Sequence, residues 1–198
     1  MDKVKKAAIF GGTFNPPHIG HFMLAKEAMK KHGLDKVFFV PSFLPPHKNG
    51  IDVIKAAHRE EMVKRIISGE PSFLISEYEL NRKTVSYTID TVRFFMTEFP
   101  DTEFYYLMGS DAFYGIKTWK ESEKLIRLMK FIVYKRQEFP KEKVIKAVPE
   151  AVSMLWMDNE LINISSSDIR KRIRSGENMQ EETGKKVWEY IEEKGLYR

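Results

Sequence analysis

The chain has 198 residues, 42% of them hydrophobic, enough for one sizeable core and at most a small appendage. With no cysteine it can form no disulfide, thiolate nucleophile or Cys-ligated zinc or iron–sulfur site, so a metal would be held by oxygen, histidine or a substrate. A formal charge of +5 suits an anionic partner without naming one; neither a membrane-length apolar run nor a secretory leader is read in the chain, which makes the cytoplasm the expected location.

In chain order, "VKKAAIF" (4–10) predicts a buried strand. The next segment, 19–33, carries Ile19, Phe22, Met23 and Met29 at helical spacing as its expected inner face, with Gly33 as its stop signal. Strands are expected at 36–41, 72–76, 103–109 and 130–135, and helices at 53–69, 87–100 and 122–129. Alternating strands and helices predict an α/β fold with a parallel sheet covered on both faces. Ligands then collect beyond the carboxyl ends of the strands, here the loops after Phe10, Val40, Ser76 and Met108. The last third, about residues 160–198, reads as two helices capping that edge within a single domain spanning 1–198.

The first of these loops is "GGTFNPPHIGH". Gly11 and Gly12 let backbone approach a ligand, Pro16 and Pro17 stiffen the turn, and His18 and His21 share a face at the start of a helix. A helix N-terminus offers free N–H groups and a positive dipole end, which suits a phosphate. Metal ligation by the two histidines is the rival, though no nearby carboxylate completes a set. Further on, "PPHK" fixes Lys48 as a point charge, and "SYT" offers the hydroxyls of Ser86, Tyr87 and Thr88 at a helix start. "MGSDAFYGIKTW" puts Gly109 and Asp111 past a strand end, with Trp119 downstream as either core or ligand platform. "ISSSDIRKRIR" starts a helix with a Ser-x-x-Asp pattern similar to a capping box, and sets Arg170 and Arg174 on one face.

Together these blocks resemble the nucleotidyltransferase superfamily with an H-x-G-H motif, and within it the bacterial nicotinate-nucleotide adenylyltransferases, over nearly the whole chain. The resemblance implies a Rossmann-like doubly wound fold and a reaction joining nicotinate mononucleotide and ATP into deamido-NAD, with release of pyrophosphate. It implies catalytic roles for His18, His21 and Arg170. Gly11, Gly12, Thr13, Phe14, Lys48, Gly109, Asp111, Ile164, Ser165, Ser166 and Arg170 would lie on the ATP and phosphate side. Ser86, Tyr87, Thr88 and Trp119 would hold the nicotinate nucleotide. It further implies Mg²⁺ carried with ATP and no metal ligands from the protein. The partners would be small molecules, not nucleic acid or membrane, with the chain a monomer or homodimer. Thr84 and Val85 stand where many relatives carry glycine or proline, and segment 178–186 departs from the usual pattern, so altered packing is expected there.

The letters HIGH also resemble class I aminoacyl-tRNA synthetases, but the chain is short and "ISSSDIR" is no lysine-rich second loop. Phosphopantetheine and cytidylyl transfer enzymes look alike only in the first block. A nucleotide-sensing or RNA-binding module that kept the fold is the non-enzymatic alternative.

Overall fold

In the first strand, β1 (Lys6–Gly12), Ala7 and Ile9 join one core cluster while Ala8 and Phe10 join another, and all four are buried. A strand apolar on both sides needs cover on both. The computed structural model, which describes residues 4–45, 53–151 and 153–198, supplies it. β1 leads to α1 (Ile19–His32), β2 (Lys36–Pro41), α2 (Ala56–Ile67) and β3 (Phe73–Ile75). Then come α3 (Tyr78–Arg82), α4 (Thr88–Glu98), β4 (Glu103–Gly109), α5 (Ser110–Tyr114), α6 (Ser122–Leu128), β5 (Lys130–Tyr134), α7 (Lys141–Ala147) and β6 (Met154–Met157). The chain closes with α8 (Ser166–Arg174), α9 (Gln180–Thr183) and α10 (Lys185–Lys194).

The six described strands form one sheet in the order β3-β2-β1-β4-β5-β6, every neighbouring pair parallel. This is the doubly wound Rossmann-like order, and its direction reverses between β1 and β4. Side chains of α1 and α2, among them Leu24, Ala28 and Val63, fill one face of the sheet. Side chains of α4 to α7, among them Phe95, Phe113, Leu125 and Val144, fill the other. The crevice at the reversal opens beyond the carboxyl ends of β1 and β4, where both strands end in glycine. None of the described helices is long and apolar enough to cross a membrane.

Three expectations need correction. The sixth strand, β6, was not expected from the sequence; its four residues are too few to display a period. The inner face of α1 is formed by Gly20, Leu24, Ala25 and Ala28, while Met23 is 53% exposed. Phe22 and Met29 pack partly buried at the margin of the same cluster, so of the expected apolar set it is Met23 that turns to solvent. The last third holds three helices, not two: α9 lies inside the atypical 178–186 segment and buries Met179 and Thr183. Met179 belongs to a separate apolar cluster with Ile169, Ile173, Trp188 and Ile191, onto which Met62 of α2 packs.

Candidate active site

Gly11 has no side chain because there is no room for one: a Cβ there would collide with the Tyr106 hydroxyl. That close approach of β1 to β4 forms the floor of a cleft of about 490 Å³ at the sheet's reversal point. Gly11, Gly12, Thr13, Phe14 and His21 line one side of it, and Gly109 and Asp111 lie at the end of β4. Ser86, Tyr87, Thr88 and Trp119 line it as well. A second cavity of about 470 Å³ shares Asp111 with the first and is lined by Arg136, Ile164 and Ser165. Of the residues expected on the ATP side, Gly11, Gly12, Thr13, Phe14 and Gly109 share the first cavity with the nicotinate-side residues, Asp111 borders both cavities, and Ile164 and Ser165 line the second. Lys48 lies outside the described residues.

His21 borders the first cavity, and the ring centroid of His18 lies 3.7 Å from its own. His18 caps α1 in an extended conformation, and its N–H donates to Nδ1 of His21 at 3.2 Å. An accepting Nδ1 leaves the proton of a neutral imidazole on Nε2, so His21 carries a single donor. Burial, with help from the Arg136 charge, lowers His18 to about 3. Burial likewise holds His21 well below its ordinary value, with the charges of His18 and Arg136 pushing the same way. Both are therefore neutral near pH 7. An incoming phosphate would reverse that charge balance and favour imidazolium. Gly20 completes the arrangement, since a Cβ there would stand 2.9 Å from Nδ1 of His18 and 2.8 Å from Ile162.

α8 is brought beside α1 by two bonds to the proline loop. Ser166 Oγ donates to the Pro16 carbonyl at 2.8 Å, and Arg170 Nη1 donates to the Asn15 carbonyl at 2.9 Å. Arg170 is buried, and neither it, Ser166 nor His18 reaches the lining of either cavity. In this arrangement they hold the two helix N-termini together. Ser165 caps α8, accepting from the Asp168 N–H at 3.1 Å, which is one half of the expected capping box.

The turn before α4, which carries Thr84 and Val85, is fastened to the segment after β2. Val85 pairs with Leu44 in an isolated parallel bridge, and Ser86 Oγ accepts from the Phe43 N–H at 3.1 Å. Behind it Glu79 is buried and accepts from the Thr91 hydroxyl at 2.5 Å; burial raises its carboxyl above the usual range. Trp119 is partly buried and meets Tyr106 edge to face at 6.4 Å, so its remaining surface faces the first cavity.

Sequence reasoning missed Arg136, whose buried Nε has no hydrogen-bond partner among the described residues and whose guanidinium lies 5.1 Å from the Tyr134 ring centre. The signal was present: Arg136 follows β5, and the strand-end rule that found Asp111 after β4 applies there too. Lys120 was also missed; it borders the first cavity 4.5 Å from the Tyr87 ring centre and 3.4 Å from Asp90. Among the described residues no group of three or more His, Asp or Glu is placed to hold a metal ion.

The cytidylyltransferase-like family model matches residues 9–172, from β1 into α8. The nicotinate-nucleotide adenylyltransferase of Bacillus subtilis is 36% identical over 194 residues, covering 98% of this chain and 99% of the relative. A probable nicotinate-nucleotide adenylyltransferase of Exiguobacterium sibiricum is 38% identical over 97% of this chain and 98% of its own. At the level of fold, the chain matches the Plasmodium falciparum nicotinic acid mononucleotide adenylyltransferase complexed with NaAD. The TM-score is 0.82 at 22% identity, over 98% of this chain and 97% of the other. A β1–α1 histidine loop at the sheet's reversal point, within a chain aligned end to end with these enzymes, makes the protein a member of the cytidylyltransferase-like family, in its nicotinate-nucleotide adenylyltransferase group.

Proposed function

We propose that the chain joins nicotinate mononucleotide and ATP to give nicotinate adenine dinucleotide (deamido-NAD) and pyrophosphate, with His21, on the wall of the first cavity, at the site of transfer. The observation that carries this reading is the pair of adjoining cavities meeting at Asp111, with α1 and α8 both starting beside the junction. The pyridine half belongs in the first cavity, beside Trp119 and the Ser86–Thr88 turn; the adenosine half belongs in the second.

The acceptor's 5′-phosphate is already an anion, so the chemistry needs no general base. One of its oxygens forms a bond to the α-phosphorus of ATP, and the bond from that phosphorus to the β-bridging oxygen breaks, releasing pyrophosphate. The protein's part is alignment and charge stabilisation. His21 donates from Nε2 to the transferring phosphate, and the partly buried Arg136 supplies a cation beside it. Ser165 and the first N–H groups of α8 face the β and γ phosphates. Arg170 acts on them through the helix it fastens. A divalent cation carried with ATP would neutralise phosphate charge, and Asp111, shared by both cavities, is the side chain that would hold it.

At the acceptor end, the N-terminus of α4 and the Lys120 cation favour a carboxylate over a neutral amide. The test is pyrophosphate release from ATP and Mg²⁺ with nicotinate mononucleotide, nicotinamide mononucleotide and phosphopantetheine in parallel. Strong turnover on the first alone is expected; equal efficiency on the acid and the amide would defeat the acceptor assignment.

A further inference from the structure

Arg59, on α2, is fully buried, touches neither cavity lining and has no carboxylate within ion-pair distance among the described residues. Its guanidinium donates to three backbone carbonyls on three separate segments. Nη1 reaches Thr13 at 2.8 Å, Nη2 reaches Phe43 at 2.9 Å and Nε reaches Ile54 at 3.2 Å. Thr13 belongs to the loop that leads into the histidine pair, and Phe43 belongs to the segment after β2. That segment is in turn fastened to the acceptor turn. The Phe43 N–H donates to Ser86 Oγ at 3.1 Å, and the Ser86 N–H donates to the Leu44 carbonyl at 3.1 Å. A continuous chain therefore runs from Thr13 through Arg59 and Phe43 to Ser86, joining the phosphate loop to the turn beside the first cavity.

The geometry points to Arg59 as a positioning residue for adenylyl transfer: it fixes how far the phosphate loop stands from the acceptor turn. Irregular segments have no strand neighbour to satisfy their carbonyls, and one planar fork satisfies three of them at once. A lysine has a single nitrogen and cannot span the same three. Transfer requires the acceptor oxygen and the α-phosphorus to be held about 3–3.5 Å apart and in line, and a misplacement of about 1 Å costs on the order of a hundredfold in rate. Each subsite can stay whole while the distance between them changes.

The inference rests on the adenylyl-transfer reading, and the experiment separates the two. Wild-type protein and Arg59→Lys are compared for melting temperature, KM of ATP and of nicotinate mononucleotide, and kcat well below the melting transition. Expected for Arg59→Lys are KM values within about threefold of wild type and a kcat lower by about a hundredfold. An unchanged kcat, with or without a lower melting temperature, would reduce Arg59 to a structural staple and overturn the inference. A rise confined to KM would overturn it too, because the subsites and not their spacing would then have changed. If Arg59→Lys does not fold, Ser86→Ala cuts the same chain at its other end. A fall in kcat restored by Ser86→Thr supports the inference, and a change in the acceptor's KM alone contradicts it. Wild-type protein inactive on nicotinate mononucleotide would sink the transfer reading itself.

Discussion

At His21 one backbone hydrogen bond decides which imidazole nitrogen can serve a phosphate: the His18 N–H occupies Nδ1 and leaves Nε2–H as donor. His21→Ala removes that donor along with ring contacts to Phe10 and Phe14, and turnover is expected to fall by about 10²–10³ with the circular dichroism spectrum unchanged. A near-normal rate would remove the imidazole from the mechanism. His18 makes a separate expectation about pH. Its pKa is about 3 in the fold against an ordinary 6.5, so between those values the unfolded chain binds a proton that the folded chain does not. The stability this contributes is fully present above about pH 6.5 and is lost as the pH falls towards 3. The fall in melting temperature from pH 6.5 to 5 should therefore be shallower in His18→Asn than in wild type; parallel curves would place that titration elsewhere. The pairing of His18 and His21 was legible in their spacing of three at a helix start, while what Gly11 makes room for, the Tyr106 hydroxyl, was not. Arg59 could not be read, because its acceptors Thr13 and Phe43 lie on other segments and come together only once the sheet is assembled, whereas Arg136 was open to the strand-end rule.

Among the elements, α8 shows how a short sequence pattern becomes a site. Ser165 caps the helix through the Asp168 N–H, while Ser166 and Arg170 fasten its first turns to the proline loop. Ser165→Ala removes the cap and is expected to lower stability by about 1 kcal/mol, seen as a shift of the urea midpoint at constant slope. An unshifted midpoint would mean that the two fastening bonds, not the cap, set the helix start. Gly33, in the left-handed region at φ 63°, ends α1 where the sequence places its stop. β6 escaped notice since "MLWM" reads alike for a strand or a buried turn of helix; only pairing with β5 decides it. On α1 hydropathy marked Phe22 and Met29, which reach the margin of the core, but overrated Met23 and passed over Gly20, Ala25 and Ala28, whose small size lets the helix approach the sheet.

Across the whole molecule, sheet order and site position are one fact. The reversal between β1 and β4 opens a crevice, the first loop fills it with backbone, and α8 closes one side. Tyr197, far from β1 in sequence, donates its hydroxyl to Asn15 Oδ1 at 2.9 Å and so ties the end of the chain's helical part to the phosphate loop. Tyr197→Phe is expected to lower the melting temperature by about 2–4 °C, the effect of losing one hydrogen bond worth about 1 kcal/mol in a chain of this size. An unchanged melting temperature would show that the loop is held without it. The alternation of strands and helices made this architecture readable in advance, while the bond from residue 197 to residue 15 carries no periodic signal at all. The central claim, adenylyl transfer to nicotinate mononucleotide, is tested most directly by incubating purified protein with ATP, Mg²⁺ and that acceptor and measuring both products. Nicotinate adenine dinucleotide and pyrophosphate forming in equal amounts is the expected result; pyrophosphate or AMP without the dinucleotide, or no product, would contradict it.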